Sequence, residues 1–257
     1  MRSRLTGDLL HASDVESPQL TFAEHLEELR RRLGICLAWV VVATGAGFGL
    51  AERLIGWLKR PAGDLLPRLA FFGPTDALVA YVKVALTFGV VVTLPVVLAQ
   101  VWAFVRTGLT ARERRYGVAF VWGGSACFAL GVAFAYWVCL PVFLHVLLGI
   151  GRSTLEPVIS INRYLGFVLG VMLGCGLVFE LPLAIMLLAR MGLVTVAMLR
   201  AQRRWAFLAM LVVAAVVTPT TDAVSLVLFT VPLVLLYELS ILLVRWGTPA
   251  SGASPRH

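Results

Sequence analysis

Charged residues are scarce in this chain. Only 14% of its 257 residues are Asp, Glu, Lys or Arg, whereas 60% are hydrophobic and the mean hydropathy is +0.90. An ordinary soluble domain carries roughly 25% charged residues. The composition therefore excludes that class and indicates a polytopic membrane protein.

Residue types that carry out chemistry are also few. The four cysteines lie in apolar stretches without CxxC spacing, which is typical of small apolar residues rather than of disulfides or metal ligands. The four histidines form no paired ligand motif, and the chain contains no Walker loop, GxSxG or HExxH sequence. The sequence thus predicts no metal site, no cofactor and no enzymatic activity.

Long apolar runs are what the chain has in abundance. Four of them reach the length of about 20 residues that a helix needs to cross a bilayer, and two shorter runs follow. The third run is too long for one straight span, and we expect Pro141 to end or kink it. The sequence predicts an all-α protein with six transmembrane helices, at residues 33–52, 77–105, 116–145, 163–189, 205–218 and 223–244.

The basic residues indicate an orientation. The net charge is +8, but the 22 basic residues are divided among the loops and do not form one patch that would indicate a nucleic acid partner. Fifteen lie on the side of the two termini and six on the opposite side, so the positive-inside rule places both termini in the cytoplasm. The remaining basic residue, Lys83, lies near an outer helix end, where its ammonium can reach the membrane interface. We expect one transmembrane domain at 21–245 between flexible cytoplasmic tails at 1–20 and 246–257.

The opening segment concentrates charge. In TFAEHLEELRRRL, residues 21–33, apolar residues at helical spacing predict an amphipathic helix that runs into the first span. Glu27 and Glu28 precede Arg31 and Arg32 by four residues, which favours local ion pairs. Spacing alone leaves open whether these acids pair within the chain or bind a partner.

The fourth predicted span contains a glutamate and a glycine stripe. Gly166, Gly170 and Gly174 repeat every four residues, a pattern that favours close helix packing in membranes. Glu180 lies roughly 40° around the helix from Gly166, so we expect its carboxyl to face protein rather than lipid. An ionisable group inside a span costs about 3 kcal/mol, which indicates a functional or paired residue. Glu238 in the last span follows the same reasoning but lies nearer the cytoplasmic end.

A polar turn joins the last two spans. Its sequence, TPTTDAVS at 218–225, supplies hydroxyls and a carboxylate that can satisfy the backbone, and Asp222 or Thr221 is suited to cap the last helix. Capping alone would explain these residues.

Seven short motifs agree in order and spacing with one family. They are HLEELR at 25–30, FFGPTD at 71–76, QVWAF at 100–104, ERR at 113–115, FELP at 179–182, TPTTD at 218–222 and LYE at 236–238. With them, the chain resembles the TatC family, the core receptor subunits of the twin-arginine protein translocase.

The resemblance implies a fold and a function. The fold would be a glove-shaped six-helix bundle in the bacterial cytoplasmic (inner) membrane. The function would be to bind the twin-arginine signal peptides of folded cargo proteins at the cytoplasmic face, without catalysis. Assembly with TatA-like and TatB-like membrane subunits into an oligomeric receptor complex, and transport driven by the proton-motive force, would follow.

The resemblance also assigns roles to residues. Glu28 and Glu113 match the family's acidic signal-binding positions, with Arg30 and other arginines beside them, and Phe104 matches an adjacent aromatic position. Two carboxylates can bind two guanidinium groups through bidentate bonds that lysine would not reproduce.

Further matches concern the membrane interior and the partner subunits. Glu180 matches the family's intramembrane glutamate, and Thr218, Asp222 and Ser225 match a polar partner-docking cluster. Leu226 stands where many relatives have glutamine, which reduces that cluster, and Thr107 stands where many have proline.

Two other function classes compete with this interpretation. A secondary transporter that uses Glu180 as a proton-coupled site for a small solute would have inverted repeats and broken helices, and the sequence shows no internal repeat. An intramembrane enzyme would need a nucleophile with its base or a metal set, which the sequence lacks.

Overall fold

The computed structural model describes residues 22–65, 69–106, 117–149, 158–217 and 223–247. Within these ranges the chain is helical, apart from short connections and one isolated parallel bridge between Ala70 and Ser160. The all-α prediction is confirmed. The elements are α1 (Phe22–Lys59), a 3₁₀ helix (Arg60–Leu65), α2 (Asp76–Val105), α3 (Gly117–Phe134), a π-helical segment (Ala135–Cys139), α4 (Leu140–Gly149), α5 (Ile161–Phe179), α6 (Leu181–Arg190), α7 (Val196–Ala201), α8 (Arg203–Val217) and α9 (Ala223–Gly247).

Five helical stretches in the described ranges are long and apolar enough to cross a membrane. They are Leu26–Gly63, Asp76–Val105, Gly117–Gly149, Ile161–Arg190 and Phe229–Trp246. The predicted fifth span falls on α8, whose 15 described residues are fewer than the about 20 that a span needs. The chain is thus a multi-pass membrane protein, whereas six spans, a glove shape and the orientation of the termini stay predictions.

The acidic opening segment is the first part of a single long helix. Helix α1 has 38 residues and is therefore about 57 Å long at 1.5 Å per residue, well beyond the about 30 Å of a hydrocarbon core. The helix must therefore extend past the bilayer at one or both ends. We call the end of the bundle that holds Glu28, Phe104 and Glu238 the Glu28 end, and the opposite end, with Lys83 and Asn162, the Lys83 end.

Glycines bring α1 and α2 into direct contact. A Cβ atom on Gly89 would lie 2.4 Å from Thr44 Oγ1, and one on Gly47 would lie 2.9 Å from the carbonyl oxygen of Ala85. No larger residue fits either position without moving a helix. This crossing fixes α1 against α2, so the two ends of these helices lie side by side.

A π-helical turn interrupts the third run just before Pro141. The N–H of Leu140 bonds to the carbonyl of Ala135, five residues back, and the helix then continues past the proline to Gly149. Pro141 therefore does not end the run. Next to this turn, Tyr136 stacks on Trp57 with ring centroids 3.9 Å apart and donates its hydroxyl to the Trp57 carbonyl at 3.0 Å. These contacts join the π-helical segment, which contains Tyr136, to the end of α1.

The predicted fourth span at 163–189 consists of two helices that meet at Glu180. Pro182 has no N–H to donate to the carbonyl four residues earlier. The backbone N–H of Glu180 instead bonds to the Leu177 carbonyl, three residues back, at 3.1 Å. The break places Glu180 between α5 and α6.

Helix α5 lies at the centre of the larger core. Its side chains at Leu165, Val168, Val171 and Cys175 are almost completely buried. A second apolar cluster, between α2 and α3, contains Leu94, Leu98, Trp102, Phe120 and Phe128.

The glycine stripe of α5 does not form the close contact that its spacing predicts. Gly166 and Gly170 are exposed, and a Cβ on Gly170 would meet nothing within 4 Å. The tight crossing of α3 and α5 uses other glycines: a Cβ on Gly176 would lie 2.6 Å from the Phe128 ring, and one on Gly131 would lie 2.7 Å from the Cys175 carbonyl oxygen. Four-residue spacing identifies a smooth face but not whether a helix covers it.

This difference predicts that substitutions at two glycines of α5 have different effects on the stability of the protein. Gly176→Val should destabilise the protein by about 1–3 kcal/mol, because its added atoms have no room beside Phe128. Gly170→Val, the matched control on the exposed stripe, should leave stability nearly unchanged. The midpoint of thermal unfolding of each purified variant in mild detergent measures the effect. Equal destabilisation by the two substitutions would show that the stripe is packed after all.

Candidate functional site

The Glu28 end holds a cluster of polar side chains from α1 and α2. The guanidinium of Arg32 donates to Glu28 Oε1 through Nε, at 3.1 Å, and also through Nη2. Its Nη1 donates to Gln100 Oε1 at 3.1 Å. Because the Glu28 and Arg32 side chains are only 24% and 17% exposed, water weakens these contacts less than it would a fully solvated pair.

Local helix geometry explains the contact of Arg32 with Glu28 but not its contact with Gln100. Glu28 stands one turn before Arg32, the glutamate-first order that favours an i,i+4 pair, so this predicted ion pair is confirmed. The bond from Arg32 to Gln100 joins neighbouring antiparallel helices and could not be inferred from spacing. Its only signal in the sequence is that Gln100 begins the QVWAF motif.

Arg30 lies elsewhere on α1. Two helical positions correspond to about 200°, so Arg30 is on the opposite side of the helix from Glu28, and it is exposed. The residue that the structure brings to Glu28 is Arg32.

The aromatic position is on the same face as Gln100. Phe104 follows Gln100 by one turn in α2 and is half-buried. Nearby, Trp102 is buried and packs against Phe120 with ring centroids 5.0 Å apart, and a Cβ on Gly117 would lie 2.3 Å from Trp102 Nε1. The start of α3 is therefore held against the last turn of α2.

Glu113 lies outside the described residues, in the segment 107–116. Arg106 caps α2 and Gly117 begins α3. The described residues on both sides of this segment therefore lie at the Glu28 end.

Glu180 presents its carboxyl to α3. It is half-buried, and a Cβ on Gly124 would lie 3.1 Å from its Oε2. Its Oε1 is buried and has no hydrogen-bond partner among the described residues. The carboxyl faces protein as predicted, although Gly166 and Gly170 of the same run are exposed.

Glu238 has a different environment from Glu180. It is 46% exposed and accepts a hydrogen bond at 2.6 Å from Arg203 Nη2. Beside it, the Tyr237 hydroxyl donates to the Leu199 carbonyl at 3.0 Å. Glu238 thus joins α9 to the start of α8 at the Glu28 end. Glu238, which the sequence predicts as an intramembrane carboxyl, forms this exposed ion pair within the apolar stretch Phe229–Trp246.

The side chains of the predicted docking cluster lie outside the described residues. Thr218 and Asp222 lie outside the described residues, and Ser225 is in the first turn of α9 but its side chain is outside them too. Between α8 and α9 there is a mainly apolar groove of about 360 Å³, lined by Phe207, Leu211, Leu226, Val227, Thr230, Val231, Val234 and Leu235. Its hydroxyl, on Thr230, donates to the Leu226 carbonyl within α9 at 2.7 Å.

Known proteins resemble this chain over most of its length. The family model of the Sec-independent protein translocase protein (TatC) matches residues 24–232. The Sec-independent protein translocase protein TatC of Koribacter versatilis is 36% identical over 251 residues, which cover 94% of this chain and 88% of that protein. The protein TatCy of Bacillus subtilis is 36% identical over 228 residues, which cover 88% of this chain and 89% of that protein.

The fold agrees with the sequence similarity. A crystal structure of the twin-arginine translocase receptor TatC superposes with a TM-score of 0.78 at 33% identity, and the match covers 88% of this chain and 100% of that one. The chain therefore belongs to the TatC family of Sec-independent protein translocase proteins.

Proposed function

We propose that this protein is the receptor of a twin-arginine translocase and binds the paired arginines of signal peptides on folded cargo. The observation that carries the proposal is the contact of Glu28 with a guanidinium, that of Arg32, at a half-buried position. A carboxylate held in this way already has the environment that an arginine of a signal peptide requires.

The chemistry favours arginine over lysine in this position. Arg32 uses two nitrogens on Glu28 and a third on Gln100, and only a guanidinium has donors in such a planar fork. An arginine of the signal peptide would compete with Arg32 for Glu28, while Gln100 keeps Arg32 nearby. Glu113 would bind the second arginine and Phe104 would pack beside the peptide.

Charge distribution supports an orientation for this site. Fifteen basic residues lie on the side of the termini and six on the other, so the Glu28 end faces the cytoplasm, where signal peptides are presented. The protein would lie in the bacterial inner membrane, and its binding role requires no catalytic step.

The α8–α9 groove and Glu180 suit helical partners. The groove offers an apolar surface between two helices, which fits a transmembrane helix of a TatA-like or TatB-like subunit. Glu180 has a buried oxygen with no partner among the described residues, which fits a polar group on a signal peptide or partner helix. Assembly into an oligomeric complex and transport driven by the proton-motive force complete the proposal.

A proton-coupled small-solute transporter is less well supported. It predicts broken helices, and the helix break at Glu180 is such a feature, but Pro182 accounts for that break locally. Membership of the TatC family favours the receptor.

Substitution of Glu28 and Glu113 gives the first test of the proposed receptor function. Glu28→Ala or Glu113→Ala should weaken crosslinking of a twin-arginine signal peptide by about tenfold, because each removes charge-assisted hydrogen bonds. Glu27→Ala is the matched control, since Glu27 neighbours Glu28 but is exposed. A signal peptide with paired lysines should bind the unaltered protein more weakly.

The crosslinking assay uses full-length protein in membranes, with insertion checked for each variant. Unchanged crosslinking in the Glu28→Ala, Glu113→Ala double variant would remove the basis of the proposed site.

Glu180 separates a hydrogen-bonding role from a titrating one. Glu180→Gln keeps a polar group of the same shape and should retain substantial export, whereas Glu180→Ala should lose more. Export of a folded reporter, with equal membrane levels of both variants, is the measurement. If both variants were equally inactive in a stably folded protein, the carboxyl would have to titrate, and the transporter-like role would gain support.

The partner groove is tested by disulfide crosslinking. Cysteines at Thr218 or Ser225 should crosslink to a cysteine-bearing helix of a TatA-like or TatB-like subunit, and Leu226→Gln should preserve or strengthen the contact by adding a polar group. Cysteines on the exposed faces of α2 and α3, at Val82 or Val118, serve as controls. Crosslinks confined to those controls would place the partner on another surface.

A further inference from the structure

A polar cavity lies at the Lys83 end, between the starts of α2 and α5. Its volume is about 810 Å³, and its lining includes Phe72, Asp76, Lys83, Asn162, Arg163 and Gly166. It is far from the Glu28 cluster, which is at the other end of α2, and the proposed receptor function does not use it.

A chain of hydrogen bonds builds the floor of this cavity. Asp76 Oδ2 accepts from the backbone N–H groups of Phe72 and Gly73, at 3.0 and 3.2 Å, and Asp76 Oδ1 accepts from Asn162 Nδ2 at 3.3 Å. Asn162 Oδ1 in turn accepts from Lys83 Nζ at 2.7 Å. Asp76 is thus occupied by three donors, and Asn162 connects it to the lysine.

Lys83 retains donors for a ligand. Its ammonium has three N–H groups and makes one hydrogen bond among the described residues, to Asn162. Its Cα lies about 10 Å along α2 from Asp76. Its Nζ nevertheless reaches Asn162, the second residue of α5, so the side chain extends toward the Lys83 end of the bundle. The ammonium passes over Gly166, where a Cβ would lie 3.8 Å from Nζ.

The charge of the cavity favours an anion. Lys83 and the exposed Arg163 contribute two positive charges, whereas Asp76 contributes one negative charge that is already hydrogen-bonded. Two cations that converge on one cavity can bind a phosphate between them.

The surroundings of the cavity are apolar and exposed. At its rim, Phe72 is 70% exposed and Val158 is 67% exposed. Below Arg163, α5 presents two exposed glycines, Gly166 beneath the Lys83 ammonium and Gly170, where a Cβ would meet nothing within 4 Å. A cationic polar cavity at the membrane interface therefore opens onto a smooth strip along a membrane-spanning helix, which is the arrangement that a molecule with an anionic head and long apolar chains requires.

We propose that this cavity binds the phosphate headgroup of an anionic phospholipid, with Lys83 and Arg163 on the phosphate and an acyl chain along the Gly166–Gly170 strip. Asn162 positions Lys83 rather than contacting the acyl chain. A free phosphate shares the headgroup chemistry but gains nothing from the apolar rim and the strip, so we assign the site to the lipid.

The test measures lipid retention by native mass spectrometry of the full-length protein from detergent. Phosphatidylglycerol should be retained more than phosphatidylcholine. Arg163→Gln should reduce that retention by roughly fivefold, the effect of one partly solvated ion pair, and Lys83→Gln by about tenfold, because that contact is less exposed. Arg53→Gln is the matched control: Arg53 is an exposed arginine at the same end but outside the cavity lining, and retention should not change.

Two further measurements test the binding of the acyl chain along the Gly166–Gly170 strip and the source of the phosphate. Gly170→Leu should also lower retention of phosphatidylglycerol while leaving binding of the short-chain dihexanoyl analogue unchanged. Equal retention of the two lipids, equal loss in Arg53→Gln, or displacement of phosphatidylglycerol by millimolar sodium phosphate would each overturn the assignment. A Val158→Cys variant that forms disulfide dimers in lipid-rich vesicles would assign the surface to a second copy of the chain instead.

Discussion

Close contact of helix backbones at glycine is the constraint on which this bundle depends. Apolar side chains gain little by leaving lipid for each other, so membrane helices associate through van der Waals contact and polar bonds. At the α1–α2 crossing a Cβ atom on Gly89 would lie 2.9 Å from the backbone nitrogen of Thr44, and at the α3–α5 crossing one on Gly131 would lie 2.7 Å from the carbonyl oxygen of Cys175. These crossings fix α1 against α2 and α3 against α5, and the first of them brings Arg32 of α1 to Gln100 of α2.

Polar bonds between helices occur mainly where the helices end. Arg32 joins α1 to Gln100 of α2 at one end, and Lys83 joins α2 to Asn162 of α5 at the other. The Tyr164 hydroxyl adds a bond to the Leu58 carbonyl at 2.8 Å. Charged groups at these levels keep access to water or headgroups, so they cost less than at mid-membrane. The same arrangement leaves polar side chains at both surfaces, where ligands arrive.

The sequence predicts some of this structure well and some of it poorly. Long apolar runs define the spans because the thickness of a bilayer sets a length, and Glu28 with Arg32 could be paired because one helical turn sets a distance. No comparable local rule gives the partner of Arg32 on another helix, which depends on the crossing at Gly89. Four-residue spacing predicts a packed face at Gly166 and Gly170, but spacing carries no information about which surface a neighbouring helix covers. The motifs identified the family, but the resemblance places Arg30 beside Glu28, whereas the structure brings Arg32 there.

The two proline-associated irregularities have different effects on the groups beside them. Before Pro141, the π-helical segment keeps the helix continuous, and the adjacent Tyr136 hydroxyl finds a backbone carbonyl. Before Pro182, the helix divides, and Glu180 lies at the junction with a buried oxygen that has no partner among the described residues. A buried polar atom without a partner costs about 1–3 kcal/mol, so the first arrangement stabilises the fold while the second leaves a polar group available to an incoming one. Gly124 makes this possible, since a side chain on α3 would fill the space beside the carboxyl. The position of the Glu180 carboxyl thus depends both on the helix break before Pro182 and on the glycine at 124, and neither feature alone would create it.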